Sequence, residues 1–232
     1  MGKAMLEINP QPFRYRGVDE NIILGWFNEC DAVWLHDGDP QRPHAELASG
    51  RCSNGYFDCP RVLCYPNVCE TLAVLLARKL KDRGINPDWV IGSAYSAITF
   101  SHEVAKAMRA MHGAVEKDPS DPNQKKMLWR RMTIPARAKV FQAEELITTI
   151  GTTQEVRRAV IEGNSEAVEF LPLVGTIIHR PATLPIAYKD MEVVSLVERA
   201  VWAVDPLDCP LCKAGSKRVK PKTHWAELTG KA

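Results

Sequence analysis

Apolar and polar positions fall into short blocks along the chain, and the period of each block predicts an element. From Asn67 to Arg83, Leu72, Leu75, Leu76 and Leu80 form one stripe, the spacing of a helix with a single buried face. Asn67 stands where a cap belongs, and Gly84 is the expected residue just past the end. Asp19 heads a second helix with Ile22, Ile23, Trp26 and Phe27 on one side. Trp89–Ile91 predicts a strand, followed by a helix from Ser101 to His112, whose His102 and His112 read as surface residues. Lys139 to Val160 reads as strand, loop and helix. Val140 and Phe141 open the strand, and Glu144 and Glu145 fall where it should end. Thr148, Thr149, Gly151, Thr152 and Thr153 make a hydroxyl-rich turn, and Val156, Val160 and Ile161 return at helical spacing. Ala167–Ile178 predicts strand, turn and strand, with Leu173–Ile178 the more central. A β-like Val193–Val194 and an amphipathic stretch to Trp202 come after it.

Between these blocks lie stretches without a period. Residues 1–18 form an irregular arm with Pro10 and Pro12, and residues 36–46 are turn-rich. Residues 114–135 hold Pro119, Pro122 and Pro135 among Lys117, Lys125, Lys126, Arg130 and Arg131, which predicts a mobile basic excursion. The organisation expected is an arm and hood over residues 1–66, a core over 67–205 and a basic tail over 206–232.

Composition narrows the class. The 232 residues, 45% of them hydrophobic, suffice for one α/β domain with embellishments. A net charge of +2 gives no bulk reason to expect nucleic acid as a partner. No apolar run approaches a membrane span, and the first residues lack the core of a secretory signal. Seven cysteines, an odd number, point to reduced thiols in a cytoplasmic protein.

The chemistry concentrates at the turn after Glu145. A loop of Gly and Thr leading into a helix presents backbone N–H groups and a positive dipole end to an anion. Adjacent carboxylates repel phosphate but suit sugar hydroxyls or the water shell of magnesium. One ligand combining phosphate, sugar hydroxyls and magnesium is a phosphorylated ribose.

This stretch resembles the signature of the type I phosphoribosyltransferases, in which an apolar strand leads to two acids, an apolar pair and a Thr- and Gly-rich loop. Glu144, Glu145, Leu146, Ile147, Thr148 and Thr149 follow the pattern. Glu145 stands where Asp is usual and Ile150 where Gly is common. Ser49-Gly50-Arg51, with Tyr56 and Phe57, is similar to the hood of the orotate phosphoribosyltransferases, with Ala48 in place of a lysine. Gly92-Ser93-Ala94-Tyr95-Ser96 resembles the family's pyrophosphate loop, with Ser96 in place of another lysine. Arg180 matches an arginine at a strand end.

The resemblance implies a mainly parallel α/β sheet flanked by helices under a small N-terminal hood. It also implies transfer of a 5-phosphoribosyl group from phosphoribosyl pyrophosphate to a pyrimidine, orotate first, with Mg2+ held mainly by substrate and a homodimer as the assembly. Catalysis would fall to Lys117, Glu144 and Glu145. Phosphoribosyl pyrophosphate would meet Tyr95, Ser96, Lys117, Glu144, Glu145 and the run Leu146, Ile147, Thr148, Thr149, Ile150, Gly151, Thr152 and Thr153. The base would meet Ser49, Tyr56, Phe57, Thr148 and Arg180. Transfer to another nucleobase and a sensor that binds without turnover stay open as alternatives.

In the tail, Cys209 and Cys212 supply half of a zinc site. His224, or Cys52, Cys59, Cys64 and Cys69, are the candidates to complete it, against the alternative of two thiols in a turn. The five basic residues from Lys213 to Lys222 read as a solvated arm.

Overall fold

The computed structural model describes Met5 and residues 17–231; the arm read over residues 1–16 otherwise lies outside them. In chain order the elements begin with α1 (Glu20–Glu29), β1 (Val33–Leu35), β2 (His44–Glu46), β3 (Cys52–Ser53), β4 (Gly55–Phe57), α2 (Cys59–Leu63) and α3 (Pro66–Lys81). The middle of the chain gives β5 (Trp89–Gly92), α4 (Ala97–Met108), β6 (Met111–Ala114), β7 (Glu116–Lys117), β8 (Met127–Leu128), β9 (Lys139–Ile147) and α5 (Gly151–Gly163). The last elements are β10 (Glu169–His179), β11 (Glu192–Glu198), β12 (Ala203–Val204), α6 (Pro210–Lys213), β13 (Arg218–Val219) and α7 (Trp225–Thr229).

A central sheet of order β11-β10-β9-β5-β6 is parallel throughout. Parallel strands need both faces covered, because their crossovers are helices. One face packs on α3 and α4 through Leu72, Leu76, Phe100, Phe141 and Ile177. The other packs on α5 and the β7–β8 segment through Ile91, Trp129, Val140, Val156 and Val160. A second sheet, of order β12-β3-β2-β13, forms the hood, with β1 and β4 paired antiparallel beside it. Here β13, from the basic tail, pairs parallel with β2. The tail is therefore woven into the hood, and its charges pair there: Arg218 with Glu46 and Lys217 with Glu227.

Several elements differ from expectation for identifiable reasons. Asp19 caps α1 as read, accepting from the Ile22 N–H at 3.0 Å, but Ile22 itself is 43% exposed. Asn67 does not cap α3; Pro66 takes the first helical position, where its missing N–H costs nothing, and Tyr65 precedes it. Gly84, at φ +71°, closes that helix as expected. Helix α4 begins at Ala97 and stops at Arg109, whose left-handed φ of +58° frees His112 to enter β6.

The expected excursion over 114–135 is a hairpin seated on α5. The Asp121 carboxylate gathers the N–H groups of Asn123, Lys125 and Lys126, while Met127 and Trp129 are buried. Strand β9 does not end before the acidic pair but carries it and runs to Ile147. The segment read as strand, turn and strand is one strand, β10; its register shifts between Phe170 and Val174, around Pro172, which has no N–H to give.

Candidate active site

The C-terminal ends of the parallel strands bring the residues singled out in the sequence to one edge. Arg180 follows β10, Glu144 and Glu145 lie near the end of β9, and residues 93–96 follow β5. Lys117 comes just beyond β6. Neighbouring strands are about 4.8 Å apart, so these groups form a row in that order. The Arg180 N–H donates to the Ile147 carbonyl at 2.8 Å, which fixes the first step of the row.

Glu144 is 3% exposed. Ser93 Oγ donates to its Oε2 at 2.5 Å and Gln142 Nε2 to its Oε1 at 2.6 Å. Burial pushes the Glu144 carboxyl up to about 8; neighbouring Glu145 adds to this, and the two hydrogen bonds and the Lys117 charge oppose it. Burial also raises Glu145, against a hydrogen bond from Ser96. Among the described residues no Lys or Arg forms an ion pair with either carboxyl.

After β9 the chain turns through Thr148–Ile150 into α5. Ile150 sits at φ −81°, a conformation open to any residue, and gives α5 no side-chain cap. The first N–H groups of that helix are thus left for a ligand. Thr149, Gly151 and Thr152 line a cleft of about 810 Å³ together with Lys117, Lys125, Lys126 and Arg158. Three residues of the expected loop set turn elsewhere. Ile147 and Thr153 are buried, and Leu146 packs against the core, so only their backbones can face a ligand.

The loop after β5 depends on Gly92. A Cβ there would lie 2.1 Å from Ser101 Oγ, so the strand end approaches α4 as only glycine permits. The Ala94–Tyr95 peptide is cis, Tyr95 is 72% exposed, and Ser96 is exposed at the start of α4. His102 is exposed as read. His112 is half-buried instead, 2.8 Å from Ser101 Oγ, and burial lowers it to about 4, so it is neutral at pH 7.

The hood meets the row at Arg180. Ser49, Gly50, Tyr56 and Arg180 line a cavity of about 510 Å³, and Ala48 is part of its wall. Arg180 Nε is buried with no hydrogen-bond partner among the described residues, and desolvation lowers its guanidinium. Phe57 does not reach this cavity. It is 5% exposed and meets Phe27 edge to face at 6.0 Å, because side chains alternate along β4 and only Tyr56 faces outward. His179, beside Arg180, is a buried strut between Glu198 Oε1 at 2.6 Å and Tyr188 Oη at 3.0 Å.

Three contributors escaped the sequence reading. Gln142 lies two residues before Glu144, hence on the same face of β9, a signal that was available. Ser93 lies in the loop already singled out, but its bond to Glu144 comes only from the fold. Lys220 and Lys222 line the hood cavity beside Ala48, a placement only the fold of the tail creates. Cys209 and Cys212 lie in the hood with Cys52 and His44, apart from the row; His224, Cys59, Cys64 and Cys69 are not in that group.

No family model matches the chain. An orotate phosphoribosyltransferase of Caldicellulosiruptor bescii is 33% identical over 178 residues, covering 77% of this chain and 87% of its own. One of Caldicellulosiruptor saccharolyticus is 33% identical over 204 residues, covering 88% and 97%. Among solved structures, the orotate phosphoribosyltransferase of Aeropyrum pernix superposes with a TM-score of 0.50 at 17% identity, covering 75% of this chain and 92% of its own. UMP synthase of Leishmania donovani gives 0.52 at 15% identity, over 75% of this chain and 35% of that one. At such identities the structural likeness bears on the fold.

Proposed function

The chain belongs to the orotate phosphoribosyltransferase family, and on that premise we propose that it transfers the 5-phosphoribosyl group of phosphoribosyl pyrophosphate to orotate. The products are orotidine 5′-phosphate and pyrophosphate. The observation that carries this reading is the order of groups along the sheet edge. Arg180 and Tyr56, then Glu144 and Glu145, then residues 93–96 and Lys117 follow the order base, ribose, pyrophosphate in the reacting complex.

In the reaction the bond from the anomeric carbon to pyrophosphate breaks and its electron pair leaves with the pyrophosphate. The pyrimidine nitrogen forms the new bond, and its proton passes to solvent. Positive charge grows on the ribose ring meanwhile. Glu144 and Glu145, set against the sugar, favour that charge and hold its hydroxyls. Lys117, with Lys125 and Lys126 across the cleft, takes up the negative charge of the leaving group. The uncapped start of α5, with Thr148, Thr149, Ile150, Gly151 and Thr152, holds the 5′-phosphate. Arg180 meets the orotate carboxylate with a fork of donors, one of which is otherwise orphaned. Lys220 and Lys222 supply positive charge on the wall where Ala48 stands in place of a lysine. Tyr95 and Ser96, exposed at the loop, face the pyrophosphate.

Mg2+ fits this site, because two carboxyls without cationic partners adjoin the place for ribose and pyrophosphate. Glu144 and Glu145 would hold its water shell, and the ion would supply charge neutralisation on substrate oxygens. The reading carries with it a cytoplasmic homodimer. Among the described residues no helix is long and apolar enough to cross a membrane.

The test is pyrophosphate release with magnesium, phosphoribosyl pyrophosphate and a panel of orotate, uracil, xanthine and adenine. Turnover with orotate alone is expected. Turnover with another base would reassign the hood. Tight binding of phosphoribosyl pyrophosphate with no turnover on any base would make the protein a sensor.

A further inference from the structure

We propose that His44, Cys52, Cys209 and Cys212 bind one structural zinc ion that fastens the C-terminal segment to the hood. Their ligand atoms all lie within 4.8 Å of one another, and His44, Cys52 and Cys209 are fully buried. Cys52 Sγ is 3.5 Å from Cys212 Sγ, and His44 Nε2 is 3.6 Å from Cys209 Sγ and 3.4 Å from Cys212 Sγ. Zinc bonds of about 2.3 Å to sulfur and 2.0–2.1 Å to nitrogen put tetrahedral edges at about 3.8 Å between sulfurs and about 3.6 Å from sulfur to nitrogen. These three separations match those edges to within a few tenths of an ångström. A disulfide needs sulfurs about 2.05 Å apart, and the thiols are too distant for that without moving.

The histidine is set for the same purpose. Ser216 Oγ donates to the Arg42 carbonyl at 2.6 Å, which leaves its lone pairs to accept from His44 Nδ1–H at 2.8 Å. The imidazole proton is therefore on Nδ1, and the Nε2 lone pair faces the three sulfurs. A second partner that fixes the tautomer of a ligand in this way is a feature of metal-bound histidine. The Cys212 N–H also points at Cys209 Sγ, at 3.4 Å, across the turn of α6.

Three soft sulfurs and one imidazole, closed around a centre with no open position, suit zinc in a structural role. Binding releases the thiol protons to solvent. The four ligands come from β2, β3, α6 and the residue that caps α6, so the ion would join segments more than 150 residues apart in sequence.

The test uses the full chain, reduced, without an affinity tag and desalted against a weak chelator, with metals counted by plasma mass spectrometry. About one zinc per chain is expected, falling below a tenth in C212S and unchanged in C64S, which alters an exposed thiol outside the group. Should C212S not fold, wild-type protein stripped by a mercurial reagent and titrated with cobalt must develop thiolate-to-cobalt charge-transfer and tetrahedral ligand-field bands at one equivalent. Folded wild-type protein with no zinc and no such bands overturns the proposal. So does iron at one equivalent, or a native Cys52–Cys212 disulfide found by peptide mapping.

Discussion

The hydroxyl of Ser93 lies 2.5 Å from Oε2 of Glu144, joining the loop after β5 to the buried acid of β9. With Gln142 on the other oxygen, the carboxyl is satisfied without a counter-ion, and it keeps its proton up to about pH 8. In the folded state the group binds a proton that the unfolded chain gives up near 4.5. Its contribution to stability is therefore full below that value and is lost as pH rises through about 8. Glu144→Gln should match wild type in unfolding free energy near pH 4 and exceed it at pH 9, by at most about 5 kcal/mol. Scanning calorimetry across pH checks this; equal pH profiles for the two proteins would contradict it.

The same residue gives a kinetic expectation. The carboxylate form serves a developing ribosyl cation, so kcat/KM for phosphoribosyl pyrophosphate should rise between pH 6 and 9 in wild type. Glu144→Gln and Glu145→Gln should each lose turnover while keeping the fold, seen by circular dichroism. Full activity in either variant removes that residue from the chemistry.

Arg180 is expected to matter for a base with a carboxylate and little for one without. Replacing it by Gln should raise KM for orotate roughly 10- to 100-fold, the worth of a hydrogen bond to a charged group. Binding of phosphoribosyl pyrophosphate alone, followed by calorimetry, should stay within about twofold, since a contact to the base is absent there.

Lys117 separates the leaving-group reading from a general charge effect. Lys117→Ala should lower kcat about a hundredfold, as loss of one preorganised charge at a transition state does. Arg131→Ala, on the same basic segment but engaged with Glu116, should stay near wild type. Equal losses in both would mean that only the summed charge of the segment counts.

Metal removal offers a fifth check that connects the hood to the base. Stripping the ion with a mercurial reagent, then quenching with thiol and a chelator, should raise KM for orotate several-fold. Lys220 and Lys222, just beyond β13, lose their fixed place on the cavity wall when the segment loosens. Affinity for phosphoribosyl pyrophosphate, held by the central sheet, should not follow.

What the sequence disclosed and what it hid divide along physical lines. Periodic apolar positions foretold α3, α5 and the strand through Val140 and Phe141, because burial of one face is a local pattern. The turn proposed to hold the 5′-phosphate was legible as a strand-to-helix junction because its residues are contiguous, from Glu144 to Thr153. Element ends were less so: Ser96 precedes α4 but its side chain makes no capping bond, and the stop at Arg109 rests on a left-handed residue that was not glycine. Phe57 was misread since two adjacent aromatics on a strand face opposite ways, and which one turns inward depends on Phe27. His44 and Lys220 were invisible, because strands β2 and β13 are paired across most of the chain's length, and pairing of that kind leaves no local trace.

The parallel pairing of β13 with β2 also bears on synthesis. Residues 218–223 leave the ribosome after every strand of the central sheet. The phosphoribosyl half of the site can therefore assemble while the chain is still growing, whereas the wall of the base cavity waits for these last segments. A product released before residue 218 would lack the wall that Lys220, Pro221, Lys222 and Thr223 give to the cavity proposed for the base.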